Sequence, residues 1–137
     1  MSAPHGPQAG EMLAPLSKLV TLEKMSRPLM ALGNPLHTDP AFAREMGFAG
    51  PIAVGLMSCA YLSELLTRAF GAAWLAGGNL SVTFVKPVLA GDTVTAHGRV
   101  RDRTPRPDGG ADVTIELWCE NQQGERTAVG EAALRVP

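Results

Sequence analysis

Two short stretches of the chain hold residue types that can do chemistry together. One is Asn34-Pro35-Leu36-His37-Thr38-Asp39-Pro40, where His37 offers an imidazole that takes and gives a proton near neutral pH. The other is Ile52-Ala53-Val54-Gly55, after which a long apolar run begins. The Gly55 amide therefore falls where a helix N-terminus presents free N–H donors, and the positive end of its dipole, to a carbonyl oxygen. A proton carrier and an amide donor are each suited to chemistry at a polarised carbonyl. Each residue also has a simpler reading: His37 as a turn residue satisfied by backbone groups, Gly55 as a permissive helix start. Two carboxylates, Asp39 and Glu64, could partner His37, but Asp39 reads as the cap of a helix starting at Pro40 and Glu64 as a charge on a helix surface.

The remaining chemical residues add little to that set. His5 lies in an N-terminal lead and His97 in a strand, facing solvent or bonded locally. Cys59 and Cys119 show no C-x-x-C spacing and read as reduced core thiols, so no metal, disulfide framework or other cofactor is expected. Lys86-Pro87 and Gly91-Asp92 read as strand-end and turn chemistry, and Met46, Met57 and Trp74 as packing residues.

The elements that must position His37 and Gly55 follow from periodicity. Residues 18–24, KLVTLEK, fit a first strand, and a short helix follows with Ser26 as its cap, Pro28 in its first turn and Gly33 at its end. Asp39 caps a second short helix from Pro40 through Arg44, which Gly47 to Gly50 closes. From Gly55 to about Gly71 runs the main helix, with apolar stripes through Met57, Tyr61 and Leu65 and through Leu56, Cys59, Leu62 and Leu66. A helix apolar on nearly all sides is expected to be buried on nearly all sides. Four strands then read over 80–85, 93–102, 112–120 and 127–136, separated by turn signals at Gly91-Asp92, at 105–110 and at Gln122-Gln123-Gly124.

A chain of 137 residues with 45% hydrophobic content forms one core. Residues 1–14 read as a flexible lead and 15–137 as the domain. A formal net charge of −1 with no basic run supplies no field for nucleic acid or an anionic membrane surface, and neither is expected as a partner. No apolar stretch approaches spanning length, and a soluble, cytoplasmic protein is expected. One strand, a buried helix and four further strands predict an α+β fold in which an antiparallel sheet wraps a long central helix. So small a sheet leaves edges open, and dimerisation is the expected way to bury them.

Three blocks give the chain a resemblance to a known family: Asn34–Ala43 (NPLHTDPAFA), Gly47–Met57 (GFAGPIAVGLM) and Phe84–Val94 (FVKPVLAGDTV). Their order and spacing are similar to those of the MaoC-like hydratases and dehydratases, which include (R)-specific enoyl-CoA hydratases, over roughly residues 18 to 136. The resemblance implies a hot-dog fold, an acyl thioester of CoA or acyl carrier protein as ligand, and a catalytic pair of an aspartate and a histidine five residues later. His37 takes the histidine position, while Leu32 stands where the aspartate belongs. The resemblance further implies substrate-binding positions at Asn34, at Gly55 through its amide, and at Ser63, eight residues beyond Gly55. Val54 departs from the family's usual Ile-x-His-Gly-Met.

Two functions therefore stand side by side. The chain is either a hydro-lyase with altered chemistry centred on His37, or a catalytically inactive hot-dog subunit that supports an active mate, as a homodimer or a heteromer with a second hot-dog subunit. Thioesterase activity ranks last, because it usually needs a carboxylate near the thioester and none falls in register.

Overall fold

The computed structural model describes residues 6–137, which leaves His5 outside the described residues. The chain runs through β1 (Leu16–Leu19), α1 (Leu22–Met25), α2 (Pro28–Ala31), a 3-10 turn (Pro35–His37), α3 (Pro40–Glu45), α4 (Gly55–Phe70), α5 (Ala72–Gly77), β2 (Asn79–Phe84), β3 (Thr93–Pro105), β4 (Ala111–Glu120) and β5 (Arg126–Val136). All five strands form one antiparallel sheet in the order β1-β3-β4-β5-β2, and α4 lies against it. This is the hot-dog arrangement. Alternation decides which face meets the helix: Val113, Ile115, Leu117 and Cys119 of β4 and Val94, Ala96 and Val100 of β3 are buried with Leu62, Leu65 and Leu66 of α4. On the other face the strands exchange ion pairs, Arg99 with Glu116 at 3.0 Å and Arg101 with Glu131 at 2.9 Å. There too, His97 stacks on Trp118 with ring centroids 5.3 Å apart, and the Arg126 guanidinium lies 4.9 Å from the Trp118 ring.

Several elements differ from their sequence expectations. The first strand ends at Leu19, not Lys24, because Thr21 Oγ1 accepts from the Lys24 amide at 3.2 Å and starts α1. Ser26 does not cap the next helix; its hydroxyl donates back to the Leu22 carbonyl at 2.6 Å, and Arg27 precedes α2 with no side-chain cap. Part of the expected lead is held against the sheet. Gly10 and Leu13 donate to the Val100 and Gly98 carbonyls at 2.8 Å each, and Leu13 is buried against the bare backbone of Gly98.

Helix α5 was not foreseen. Gly71, at φ 59°, breaks the helical run with a conformation costly for other residues, and the good helix formers Ala72, Ala73, Leu75 and Ala76 begin a new helix. Nor is α4 buried all round: Leu56 and Ala60 stay exposed, because one sheet curls over one side of the helix only. Met46, expected as packing, is exposed, whereas Met57 and Trp74 are buried. The Asp39 cap is present, its Oδ1 accepting from the Ala41 amide at 3.0 Å.

Candidate functional site

His37 enters its position through local turn chemistry. Asn34 Oδ1 accepts from the Leu36 amide at 3.0 Å, which closes the turn that carries His37 and commits the Asn34 side chain to that turn. The imidazole is 8% exposed, and its Nδ1 lies 2.7 Å from the Ile52 carbonyl oxygen. A carbonyl only accepts, so Nδ1 carries the proton and donates, which leaves Nε2 of the neutral ring with a free lone pair.

The same segment sets the start of α4. Residues 51–53 are stitched to 88–90: the Ala53 amide donates to Val88 O at 2.8 Å and the Ala90 amide to Pro51 O at 3.1 Å. Those carbonyls and Ile52 O are thereby turned away from the helix. The Met57 amide bonds to Val54 O at 3.0 Å, while Gly55 and Leu56 find no backbone acceptor among the described residues. Val54 has no side-chain oxygen with which to cap them. Two amides at the positive end of a 16-residue helix are thus open to a ligand's oxygen.

Both features meet in one cleft of about 400 Å³, lined by His37, Phe48, residues 52–55, Ser58, residues 84–88 and Thr127. Its walls are mostly apolar. The Phe84 ring rests on Gly55, and its residue is 53% exposed at the end of the edge strand β2. The Lys86 ammonium donates to Glu125 Oε2, and that contact, with Asn121 and the nearby charge, holds the Glu125 carboxyl below its ordinary range. Thr127 is fixed by a 3.4 Å bond from its hydroxyl to Cys119 O. The Asp92 carboxylate accepts from the Leu89 amide and from Gln122 at 2.9 Å each, so Gly91-Asp92 braces the turn behind the cleft.

Leu32 and Ser63 do not line this cleft. Leu32 is the C-cap of α2, 58% exposed and in the left-handed region at φ 54°. Ser63 accepts from Trp74 Nε1 at 2.9 Å, binding α4 to α5. Glu64 pairs with Lys18 at 2.9 Å, and that hydrogen bond is the main reason its carboxyl is held below the ordinary range. Ser58, Phe84 and Thr127 were not singled out in the sequence; Ser58 was legible as the polar residue one turn after Gly55. A larger groove of about 580 Å³ lies between α5 and the ends of β4 and β5 and contains none of the expected site residues. Cys59 and Cys119 are free, and burial pushes the Cys119 thiol up to about 12. No helix among the described residues is long and apolar enough to cross a membrane.

Comparison with known proteins gives this geometry a family. The family model for the MaoC like domain matches residues 33–109. The chain is 35% identical over 108 residues to an (R)-specific enoyl-CoA hydratase of Aeromonas caviae, covering 76% of this chain and 75% of that protein. It is 32% identical over 104 residues to an (R)-specific enoyl-CoA hydratase of Rhodospirillum rubrum, covering 76% and 69%. The solved (R)-hydratase from A. caviae superimposes with a TM-score of 0.78 at 31% identity, over 98% of this chain and 100% of that one. A chain of the ChsH1-ChsH2 complex from Mycobacterium tuberculosis, 20% identical, shares the fold with a TM-score of 0.77 over 94% of this chain and 98% of that one. The protein belongs to the MaoC-like hydratase and dehydratase family.

Proposed function

We propose that the cleft binds an acyl thioester of CoA or acyl carrier protein and that His37 alone carries hydro-lyase chemistry on it. The observation behind this reading is the 2.7 Å bond from His37 Nδ1 to Ile52 O, which leaves Nε2 as a base in a cleft that also holds the open amides of α4. In the hydration direction, Nε2 takes a proton from water as the water oxygen bonds to C3 of a 2-enoyl thioester. The displaced π pair becomes an enolate, its oxygen facing the Gly55 amide, and the imidazolium then returns a proton to C2. Water is added and the catalyst restored. No Asp or Glu lines the cleft among the described residues, so one imidazole serves both transfers. Loss of one acid or base group costs about 10²–10⁴ in rate, which sets a slow turnover as the expectation. Thioesterase chemistry is disfavoured by the same lack of a carboxylate.

A second reading rests on Leu32, exposed and outside the cleft: a subunit without its own turnover that supports an active mate. Among the described residues no strand neighbours β2 on its outer side, and Leu56, Phe84 and Val85 are exposed near that edge. Pairing there with a second copy or a second hot-dog subunit covers them. The test is hydration of crotonyl-CoA and longer enoyl-CoA substrates by the wild type, His37→Ala and Leu32→Asp. A His37-dependent wild-type rate supports the hydro-lyase; a silent wild type, with activity gained in Leu32→Asp, replaces it with the supporting subunit.

A further inference from the structure

We infer that the Ser58 hydroxyl is a second donor to the ligand's carbonyl oxygen, acting beside the Gly55 amide. This rests on the acyl-thioester reading of the cleft. Ser58 is 6% exposed, lines the cleft with His37 and Gly55, and its hydroxyl makes no hydrogen bond among the described residues. Buried hydroxyls are ordinarily bonded, and a helical serine usually donates back to the carbonyl four residues earlier. Most other hydroxyls on and beside α1 and α4 are engaged, the buried Tyr61 hydroxyl being unpartnered but outside the cleft lining. Thr67 donates to Ser63 O at 2.8 Å, Ser26 donates to Leu22 O, Ser63 accepts from Trp74, and Thr21 accepts from Lys24. Of the two unpartnered hydroxyls of α4, those of Ser58 and Tyr61, only Ser58 belongs to a residue that lines the cleft.

Helix geometry aims it. Residues three apart share a face, and side chains lean toward the N-terminus, so the Ser58 hydroxyl leans over the turn that carries the Gly55 amide. The other polar side chains of the cleft are already engaged: Lys86 with Glu125, Thr127 with Cys119 O, and His37 Nδ1 with Ile52 O. A carbonyl oxygen received by the open amides therefore meets a hydroxyl free to donate. When water adds at C3, the electron pair from the double bond comes to rest on that oxygen, and Ser58 holds it without giving up its proton. The charge collapses as C2 is protonated, and the hydroxyl is unchanged.

The experiment uses the full chain, as wild type and as Ser58→Ala. Crotonyl-CoA reports turnover, while acetoacetyl-CoA, whose enolate places negative charge on the acyl oxygens, and saturated butyryl-CoA report binding. Ser58→Ala is expected to lower kcat for crotonyl-CoA on the order of 10²-fold with little change in KM. It is also expected to weaken acetoacetyl-CoA binding roughly tenfold relative to butyryl-CoA, and to raise the pH at which the bound compound shows its enolate absorbance. Ser58→Cys, nearly the same size with a weak donor, should fall between the two and guards against a packing effect. Equal binding of both compounds by wild type and Ser58→Ala overturns the assignment, even if His37-dependent hydration is found. A silent wild type that still shows Ser58-dependent preference for the enolate overturns the hydro-lyase and keeps the donor. Failure to bind either compound overturns both.

Discussion

The ring of Phe84 lies so close to Gly55 that a Cβ at residue 55 would stand 2.5 Å from Phe84 Cζ. Gly55→Ala therefore requires the ring to move. Because the ring is half exposed it can swing outward, so folding stability should fall by no more than about 1 kcal/mol. The displaced ring and the new methyl both crowd the amide end of α4. Acyl-CoA binding by calorimetry should weaken about tenfold in Gly55→Ala and recover in part when Phe84→Ala is added, giving a coupling on the order of 1 kcal/mol. Strictly additive losses would contradict the contact.

Leu32 holds a left-handed backbone, at φ 54° and ψ 24°, while most of its side chain is in water. That conformation costs a residue with a Cβ roughly 1–2 kcal/mol, and less for Asn or Asp, whose short polar chains bond locally. Leu32→Asn and Leu32→Asp should each raise the urea midpoint, by about 0.5–1 kcal/mol in stability. A lowered midpoint would mean that the leucine makes contacts its exposure does not show. The same measurement separates any gain of activity in Leu32→Asp from a gain in folding.

Ser63→Ala leaves the indole N–H of buried Trp74 without its 2.9 Å acceptor. A buried donor so orphaned costs about 1–3 kcal/mol, to be read as a lower thermal midpoint. An unchanged midpoint would show that the α4–α5 junction does not depend on this bond.

The Lys18–Glu64 pair ties β1 to α4, and the Glu64 carboxyl is held below its ordinary range chiefly by the Lys18 hydrogen bond. A lowered folded-state pKa contributes stability above the unfolded value and loses it as pH falls through the folded value. The pair is part exposed, so its worth at neutral pH is about 0.2–1 kcal/mol after screening. Glu64→Gln should thus be less stable than wild type at neutral pH, with the gap closing as the solution is acidified below the ordinary carboxylate range. A gap that persists in acid would point to packing rather than charge.

Much of the fold was legible because it is written in periodicity. The alternation of Val113, Ile115, Leu117 and Cys119 marked β4, and Asp39 before Pro40 marked α3. What was not legible depends on tertiary partners. Nothing near Leu13 in sequence announces that Gly98 leaves room for it, and Ala72–Gly77, beyond the expected end of the main helix at Gly71, carries no periodicity long enough to mark a helix of its own. In the cleft, His37 and Gly55 have residue types suited to their roles, but the resemblance of their blocks to the MaoC-like family is what singled them out. Ser63 carried an expectation from resemblance, but Trp74, eleven positions away, takes up its hydroxyl. Ser58 stands one turn after Gly55 in the sequence, but a helical serine ordinarily bonds its own backbone, and only the fold shows that this one lines the cleft without such a bond.

The two tryptophans give the molecule a built-in pair of optical reporters. Trp74 emits from the buried junction of α4 and α5, whereas Trp118 emits from the solvent face, between His97 and Arg126. Neither indole lines the cleft, so intrinsic fluorescence follows two separate regions of the fold as they come apart, with no direct contact to anything bound beside His37.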